Sequence, residues 1–154
     1  MGPTSLTVAP DNGPGNTRTR FIKDRKERVR ERSDGGHYVV SEVFMPTQVR
    51  GGPNAGRSEH STFRRDELVP EEVWQLGFDH YLPEGRALRG RADIPTRQFF
   101  SYDLKFVSQV PPPRHGSFID WPEDKSEQLS IAVALAAKAS AYPHPDGKDS
   151  PRKP

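Results

Sequence analysis

The sequence predicts a small single α+β domain, with three or four short strands, two or three helices packed on them, and disordered termini. Runs rich in valine and aromatic residues alternate with helix signals, which favours strands and helices packed in layers. Hydrophobic residues make up only 32% of the 154 residues, so one modest core is expected. Residues that can be buried concentrate between about 35 and 142, which are therefore predicted to form the compact domain.

The first 34 residues are predicted to be a basic arm, disordered or ordered by a partner. They carry eight Arg or Lys against five Asp or Glu, whereas residues 35–142 carry twelve against fourteen. Residues 1–20 offer little to bury, and residues 21–32 would be polar on every side of a helix. Because Arg and Lys contacts dominate phosphate binding, the arm is a candidate for contacting nucleic acid. Its arginines are Arg18, Arg20, Arg25, Arg28, Arg30 and Arg32.

Two strands and a helix are predicted in the first half of the domain. Residues 37–45 alternate with valine and aromatic residues on the strand period, and residues 60–65 form a shorter run of the same kind. A loop rich in glycine separates them. Residues 70–77 predict a compact helix, because proline and two acids open it and glycine ends it.

The second half is predicted to contain a short helix, two strands and a long helix. Residues 93–100 predict the short helix with Asp93 as its N-cap. A strand at 104–110 is joined to a strand at 116–119 by three prolines, which favour an extended polyproline link. Asp120 and Glu123 form a capping pattern before an alanine-rich helix that reaches about Ala141. Residues 143–154 are predicted to be a disordered tail.

Composition excludes several classes of site. The chain has no cysteine, which excludes disulfides, thiolate metal sites and thiol catalysis. No apolar run reaches the roughly 18 residues that span a bilayer, and no secretory signal opens the chain, so a cytoplasmic protein without a membrane partner is expected. The histidines lack metal-site spacing and the glycines lack a phosphate-loop pattern, so neither a metal nor a cofactor is predicted.

Arg114 and His115 are the leading candidates for chemistry. They follow the three prolines, whose stiff backbone would present Arg114 to an anion and His115 as an acid or base. The structural interpretation is favoured, with His115 bound to a loop carbonyl and Arg114 covering a proline, because one His beside one Arg is not a specific signal.

A second candidate is the arginine-rich segment at residues 86–97. Guanidinium groups near a helix start fit phosphate, although a structural ion pair between Arg91 and Asp93 is the favoured interpretation. Arg64 belongs to a third charged cluster, predicted to be a solvated strand end. The anion-binding candidates are therefore Arg64, Arg89, Arg91 and Arg114, and the catalytic candidates are His115 and Asp93.

Five segments of the chain, at residues 44–46, 61–64, 72–77, 90–94 and 112–122, resemble a group of small uncharacterised bacterial proteins. The resemblance covers about residues 38–141 and implies one domain, with no activity attached. It places Arg64, Arg91, Asp93, Arg114 and His115 in the recurring segments. The group carries alanine after the histidine where this chain has Gly116, which questions the rigidity of the strand start.

Two classes of function remain. The leading prediction is a non-catalytic bacterial accessory or interaction protein that binds a partner protein, with the arm ordering on that partner or on nucleic acid. A toxin-neutralising inhibitor shares these features. The alternative is a small enzyme or ligand-binding domain for a phosphate-bearing substrate, clamped by Arg91 and Arg114, with His115 as acid or base and Asp93 orienting it. This alternative requires His115 within about 10 Å of Arg91 and Asp93, in one pocket.

Overall fold

A seven-stranded antiparallel sheet organises the protein, whose computed structural model describes residues 16–25 and 28–144. The strands are β1 (Thr17–Lys23), β2 (Val29–Glu31), β3 (His37–Val39), β4 (Thr47–Gln48), β5 (Ser58–Arg64), β6 (Leu88–Pro95), β7 (Lys105–Ser108), β8 (His115–Ile119) and β9 (Ser140–Pro143). The main sheet has the order β7-β8-β5-β1-β6-β9, and β4 pairs with β5. Strands β2 and β3 form a separate hairpin.

Three α-helices lie in the described part of the chain. They are α1 (Pro70–Tyr81), α2 (Thr96–Phe100) and α3 (Lys125–Lys138). At the start of α1 the Glu72 carboxylate accepts a hydrogen bond from the Val69 N–H at 3.0 Å. At the start of α3 the Asp124 carboxylate accepts a hydrogen bond from the Glu127 N–H at 3.2 Å. In both α1 and α3, therefore, a side chain pairs with a backbone N–H group at the start of the helix.

The predicted α+β architecture is wrong, because the domain is mostly sheet. Nine strands form within the described residues, instead of a few strands with packed helices. The strands β1 and β6 were not predicted because both contain several charged residues: β1 has the sequence TRTRFIK and β6 has the sequence LRGRADIP. Both lie inside the sheet and are covered on both faces, so the alternation of apolar and polar residues that marks a half-exposed strand is missing.

The segment predicted to be a basic arm supplies the central strand. In β1, Thr17 to Lys23 pair with Pro95 to Leu88 of β6, and Arg18 and Thr19 pair with β5. Arg18 is fully buried at 0% exposure. Residues 16–25 and 28–34 therefore belong to the domain, and the arm boundary at residue 34 is corrected. The remainder of the predicted arm, at residues 1–15 and 26–27, and most of the predicted tail, at residues 145–154, lie outside the described residues.

The proline segment at 111–113 is the loop of a β-hairpin, and the extended link predicted there is wrong. Strands β7 and β8 are antiparallel neighbours, with Phe106 opposite Phe118. The loop is closed by the Gln109 N–H, which donates to the His115 carbonyl at 3.0 Å. Because β7 and β8 on either side of the prolines pair antiparallel, the chain reverses its direction at residues 111–113 within one sheet.

Two hydrophobic clusters cover the two faces of the sheet. One face packs against α2, α3 and the 3-10 turn Ser41–Phe44, and its buried residues include Ile22, Phe44, Ile94, Phe99, Phe118, Trp121 and Leu135. The other face packs against α1, with Phe21, Phe63, Val73, Trp74, Tyr81 and Leu88 buried. The leading candidates for chemistry lie on the face covered by α1, where His115 packs beside Phe63 and Arg91 packs beside Trp74.

Candidate functional site

Arg114 serves the fold by joining two strands. It precedes β8 with a left-handed φ of 68°, and its Nη1 donates to the carbonyls of Arg64 at 3.1 Å and Asp66 at 2.9 Å. Its own carbonyl accepts from the Arg64 N–H at 2.9 Å and from Arg18 Nη2 at 3.2 Å. These bonds hold the end of β5 against the start of β8.

His115 is packed within the hairpin and beside the end of α1. Its Nδ1 lies 3.2 Å from the Gln109 carbonyl, a contact that requires the proton on Nδ1. Its ring packs on Phe63, with centroids 4.9 Å apart, and faces His80 at 6.1 Å. Loss of water on burial lowers the pKa of His115, and only the hydrogen bond to the Gln109 backbone opposes that shift. The neutral imidazole is therefore favoured.

Asp93 lies at the centre of a buried polar group that we call the Asp93 cluster, formed by Thr19, Arg65, Arg91 and Asp93. The Thr19 hydroxyl donates to Asp93 at 2.7 Å, Arg65 Nη1 donates at 2.7 Å, and Arg91 Nε donates at 3.3 Å. The Arg91 guanidinium lies between the rings of Trp74, at 4.7 Å, and Tyr142, at 4.4 Å. Asp93 and Arg91 are 6% and 3% exposed, so the cluster has little room for a ligand.

The structure does not bring His115 together with Asp93 and Arg91. Strand β8 is separated from β6 by β5 and β1. Three strand spacings amount to about 14 Å, which exceeds the reach of a direct or water-bridged proton transfer. The phosphate-binding enzyme therefore lacks the convergence that it requires.

The remaining anion-binding candidates are Arg64 and Arg89. Arg64 is 8% exposed and its Nε lies 3.4 Å from an Asp66 carboxylate oxygen, so the solvated strand end predicted there is corrected. Arg89 lies in β6, where its carbonyl accepts from the His144 N–H at 2.9 Å. Arg64 ends β5 and Arg89 lies in β6, and both strands are inside the sheet.

The six arginines of the predicted arm fall into two groups. Arg18 Nε donates to Thr62 Oγ1 at 3.0 Å and its guanidinium lies 4.6 Å from the Phe106 ring centroid. Arg20 Nη1 donates to the Ser61 carbonyl at 2.9 Å, and burial lowers its pKa. Both are therefore engaged within the sheet. The other four lie on the loop before β2, on β2 or just after it, and are Arg25, Arg28, Arg30 and Arg32.

Lys23, the last residue of β1, packs beside the end of α1 and was not a candidate in the sequence analysis. The Lys23 ammonium is 4.7 Å from the ring centroid of Tyr81. Burial, together with the positive charges of Arg20 and Arg86, lowers the pKa of Lys23 to about 8. Burial also raises the pKa of Tyr81, which is 5% exposed. Both shifts follow from packing under α1.

An apolar groove lies on the surface between the β2–β3 hairpin and α3. Its volume is about 540 Å³, and it is lined by Arg32, Tyr38, Val39, Val40, Ser41, Val133, Ala136 and Ala137. Next to it on α3, Leu129 is 46% exposed and Val133 is 52% exposed. We call Leu129, Val133 and Ala137, together with Tyr38 and Val40, the α3 surface. In the sequence, this surface is indicated by a second apolar stripe on α3, in which Leu129, Val133 and Ala137 follow each other at intervals of four residues.

Comparison with known proteins gives this chain no relative: no protein-family model, no curated protein and no solved structure matches it. Among the described residues, no helix is long and apolar enough to cross a membrane. The same part of the chain holds no group of three or more His, Asp or Glu side chains that could bind a metal. The surface and its chemistry therefore carry the functional inference.

His60 is a buried titratable residue that the sequence also left unassigned. It is 1% exposed and lies among the rings of Phe44, Phe99 and Trp121, at centroid distances of 5.3, 5.8 and 6.2 Å. Within the described structure neither of its ring nitrogens has a hydrogen bond of ordinary geometry. Burial, followed by the positive charge of Arg20, holds the pKa of His60 well below its usual range.

We expect His60 to make the fold sensitive to acid. The unfolded chain takes up a proton on His60 below about pH 6.5, whereas the folded state resists it. Stability is therefore complete above that pH and falls as the pH drops toward the folded-state pKa, by at most about 1.4 kcal/mol per pH unit. In the His60→Phe variant, the free energy of unfolding should depend less on pH. Urea unfolding of the wild type and of the variant at pH 7.5 and 5.5 measures this difference. An equal loss of stability in the two proteins between these pH values would contradict the expectation, because His115 is present in both.

Proposed function

We propose that the protein is a non-catalytic accessory protein that binds an α-helix of a partner protein on the α3 surface. The supporting observation is that α3 is apolar on two sides. Ala132 and Leu135 face the core, whereas Leu129 and Val133 are large apolar side chains left half-exposed. A contiguous exposed apolar patch typically marks an interaction site.

A helix is the partner element that fits this surface. The outer side of α3 carries small residues at Ser126, Ser130 and Ala137, which let a second helix approach closely along the groove. The 14 residues of α3 give a contact length of about 21 Å. The exposed Lys138 and the groove residue Arg32 favour acidic side chains on the helix that binds beside them.

A catalytic role is not part of the proposal, because the candidate acid and base are held apart by two strands. Nucleic-acid contact by the arm is not carried forward either, since Arg18 and Arg20 are bonded within the sheet. Action in the cytoplasm is kept, which the absence of cysteine supports. A bacterial origin is kept on the resemblance alone.

Site-specific photocrosslinking tests the α3 surface in cells of the native host. Benzoylphenylalanine is placed at Val133 and, as a matched control, at the exposed Gln75 of α1. We expect one discrete adduct from position 133, identified as a protein by mass spectrometry, and none of that mass from position 75. Adding Leu129→Lys should abolish the adduct. Equal adducts from both positions, or none from position 133, would overturn the proposal.

A further inference from the structure

The geometry points to a second copy of this chain as the partner, so that two α3 helices pack antiparallel about a two-fold axis. This inference rests on the proposed function and names the occupant of the α3 surface. It requires a surface that is complementary to itself, since a two-fold interface uses the same patch twice. The apolar residues and the charges of α3 meet that requirement independently.

The apolar stripe is symmetric in position and complementary in size. Val133 lies at its centre, with Leu129 four residues before it and Ala137 four residues after it. When two such helices cross antiparallel at Val133, Leu129 of each copy lies against Ala137 of the other. A large side chain then meets a small one at both ends, which is the fit that close helix packing requires.

The charges at the two ends of α3 are opposite. Exposed Glu123 and Glu127 lie at its start, together with Lys125, whereas exposed Lys138 lies at its end beside Arg32 of the hairpin. Within the described part of the chain, no salt bridge uses Glu123, Glu127 or Lys138. The charges are therefore available to another molecule.

The antiparallel arrangement places opposite charges at the same end of the pair, twice. With Val133 at the crossing point, Glu127 of one copy lies at the same end as Lys138 of the other. Both residues project to the side of the contact, about 120–140° round the helix from Val133, so they attract each other across a distance and form no ion pair. A parallel arrangement would place like charges together and align the helix dipoles, both of which are unfavourable. The second copy is thus an apolar helix with an acidic start and a basic end.

Sedimentation equilibrium of the purified full chain tests the dimer. The expected species has twice the 17.3 kDa mass of the chain, and it dissociates on dilution. Val133→Glu should sediment as a monomer, whereas Gln75→Glu on α1 should leave the dimer unchanged. A wild-type chain that stays monomeric at 100 μM overturns this inference. A crosslink from position 133 to a different protein would then still support the α3 surface.

Charge reversal tests the orientation of the two helices. Glu127→Lys alone and Lys138→Glu alone should each weaken the dimer about threefold, because each places like charges at the same end of the pair, twice, without direct contact. The double variant Glu127→Lys with Lys138→Glu restores opposite charges and should return to the wild-type dissociation constant. A double variant no tighter than either single variant overturns the antiparallel pairing.

Discussion

Replacing Asp93 with alanine is expected to lower the free energy of unfolding by about 3–5 kcal/mol, the range for breaking a buried ion pair from one side. Arg91 is 3% exposed and would keep its charge between Trp74 and Tyr142 without the carboxylate. Arg65 and the Thr19 hydroxyl would each lose a 2.7 Å hydrogen bond. Urea unfolding followed by tryptophan fluorescence measures the loss.

The exposed Asp79 of α1 provides the matched control. Its contact is a 2.7 Å hydrogen bond from Gln75 at the helix surface, so Asp79→Ala should change stability by less than about 0.5 kcal/mol. Asp93→Asn should fall between the two, since its amide oxygen still accepts hydrogen bonds. A loss below about 1 kcal/mol for Asp93→Ala would show that the Asp93 cluster is not a buried ionic unit.

Replacing Gly116 with alanine is expected to cost about 1–3 kcal/mol, the usual effect of adding a methyl group to a filled space. The new Cβ would lie 2.2 Å from Phe106 Cζ and 2.9 Å from the Val107 carbonyl oxygen. Neither neighbour moves easily. The Phe106 ring is packed between Phe118, at a centroid distance of 5.3 Å, and the Arg18 guanidinium, and Val107 is part of β7.

Gly51 is the control for Gly116. A Cβ at Gly51 would meet no atom within 4 Å, so Gly51→Ala should leave the thermal midpoint nearly unchanged. Equal midpoints for the two variants would contradict the close approach at Gly116. The same contact gives the glycine after His115 a structural role: it permits β7 and β8 to pack around Phe106.

Among the described helices, α1 and α3 could be predicted because their signals are local. The short helix predicted at 93–100 begins only at Thr96, and Asp93, its predicted N-cap, lies in β6. Pro70 begins α1 as expected, and an acidic cap precedes α3, although the residue is Asp124 and not Asp120. The predicted end of α1 at Gly77 is wrong for a reason that only packing reveals. A Cβ there would lie 2.7 Å from the Phe21 ring, so the glycine allows α1 to lie on the sheet and the helix continues to Tyr81.

The strands predicted at 60–65, 104–110 and 116–119 are present as β5, β7 and β8, whereas β1, β6 and the Asp93 cluster depended on contacts between distant residues. The pattern of β1 predicts a polar helix or a disordered arm, because Arg18 and Arg20 find their partners only after β5 is placed beside them. A structural pairing of Arg91 with Asp93 was favoured from their spacing and is present at 3.3 Å. Thr19 and Arg65 join it from other parts of the chain, and no local pattern indicates that.

The central position of β1 has a consequence for how the protein folds. Its side-chain bonds reach Thr62, Asp93 and the Arg114 carbonyl, which are 44, 74 and 96 residues away along the chain. Folding dominated by such distant contacts is slow, in the range of milliseconds to seconds. During synthesis β1 emerges before either neighbour and waits as an unpaired strand, the state in which a nascent chain is most exposed to aggregation. The protein therefore acquires its core late, once most of its length has left the ribosome.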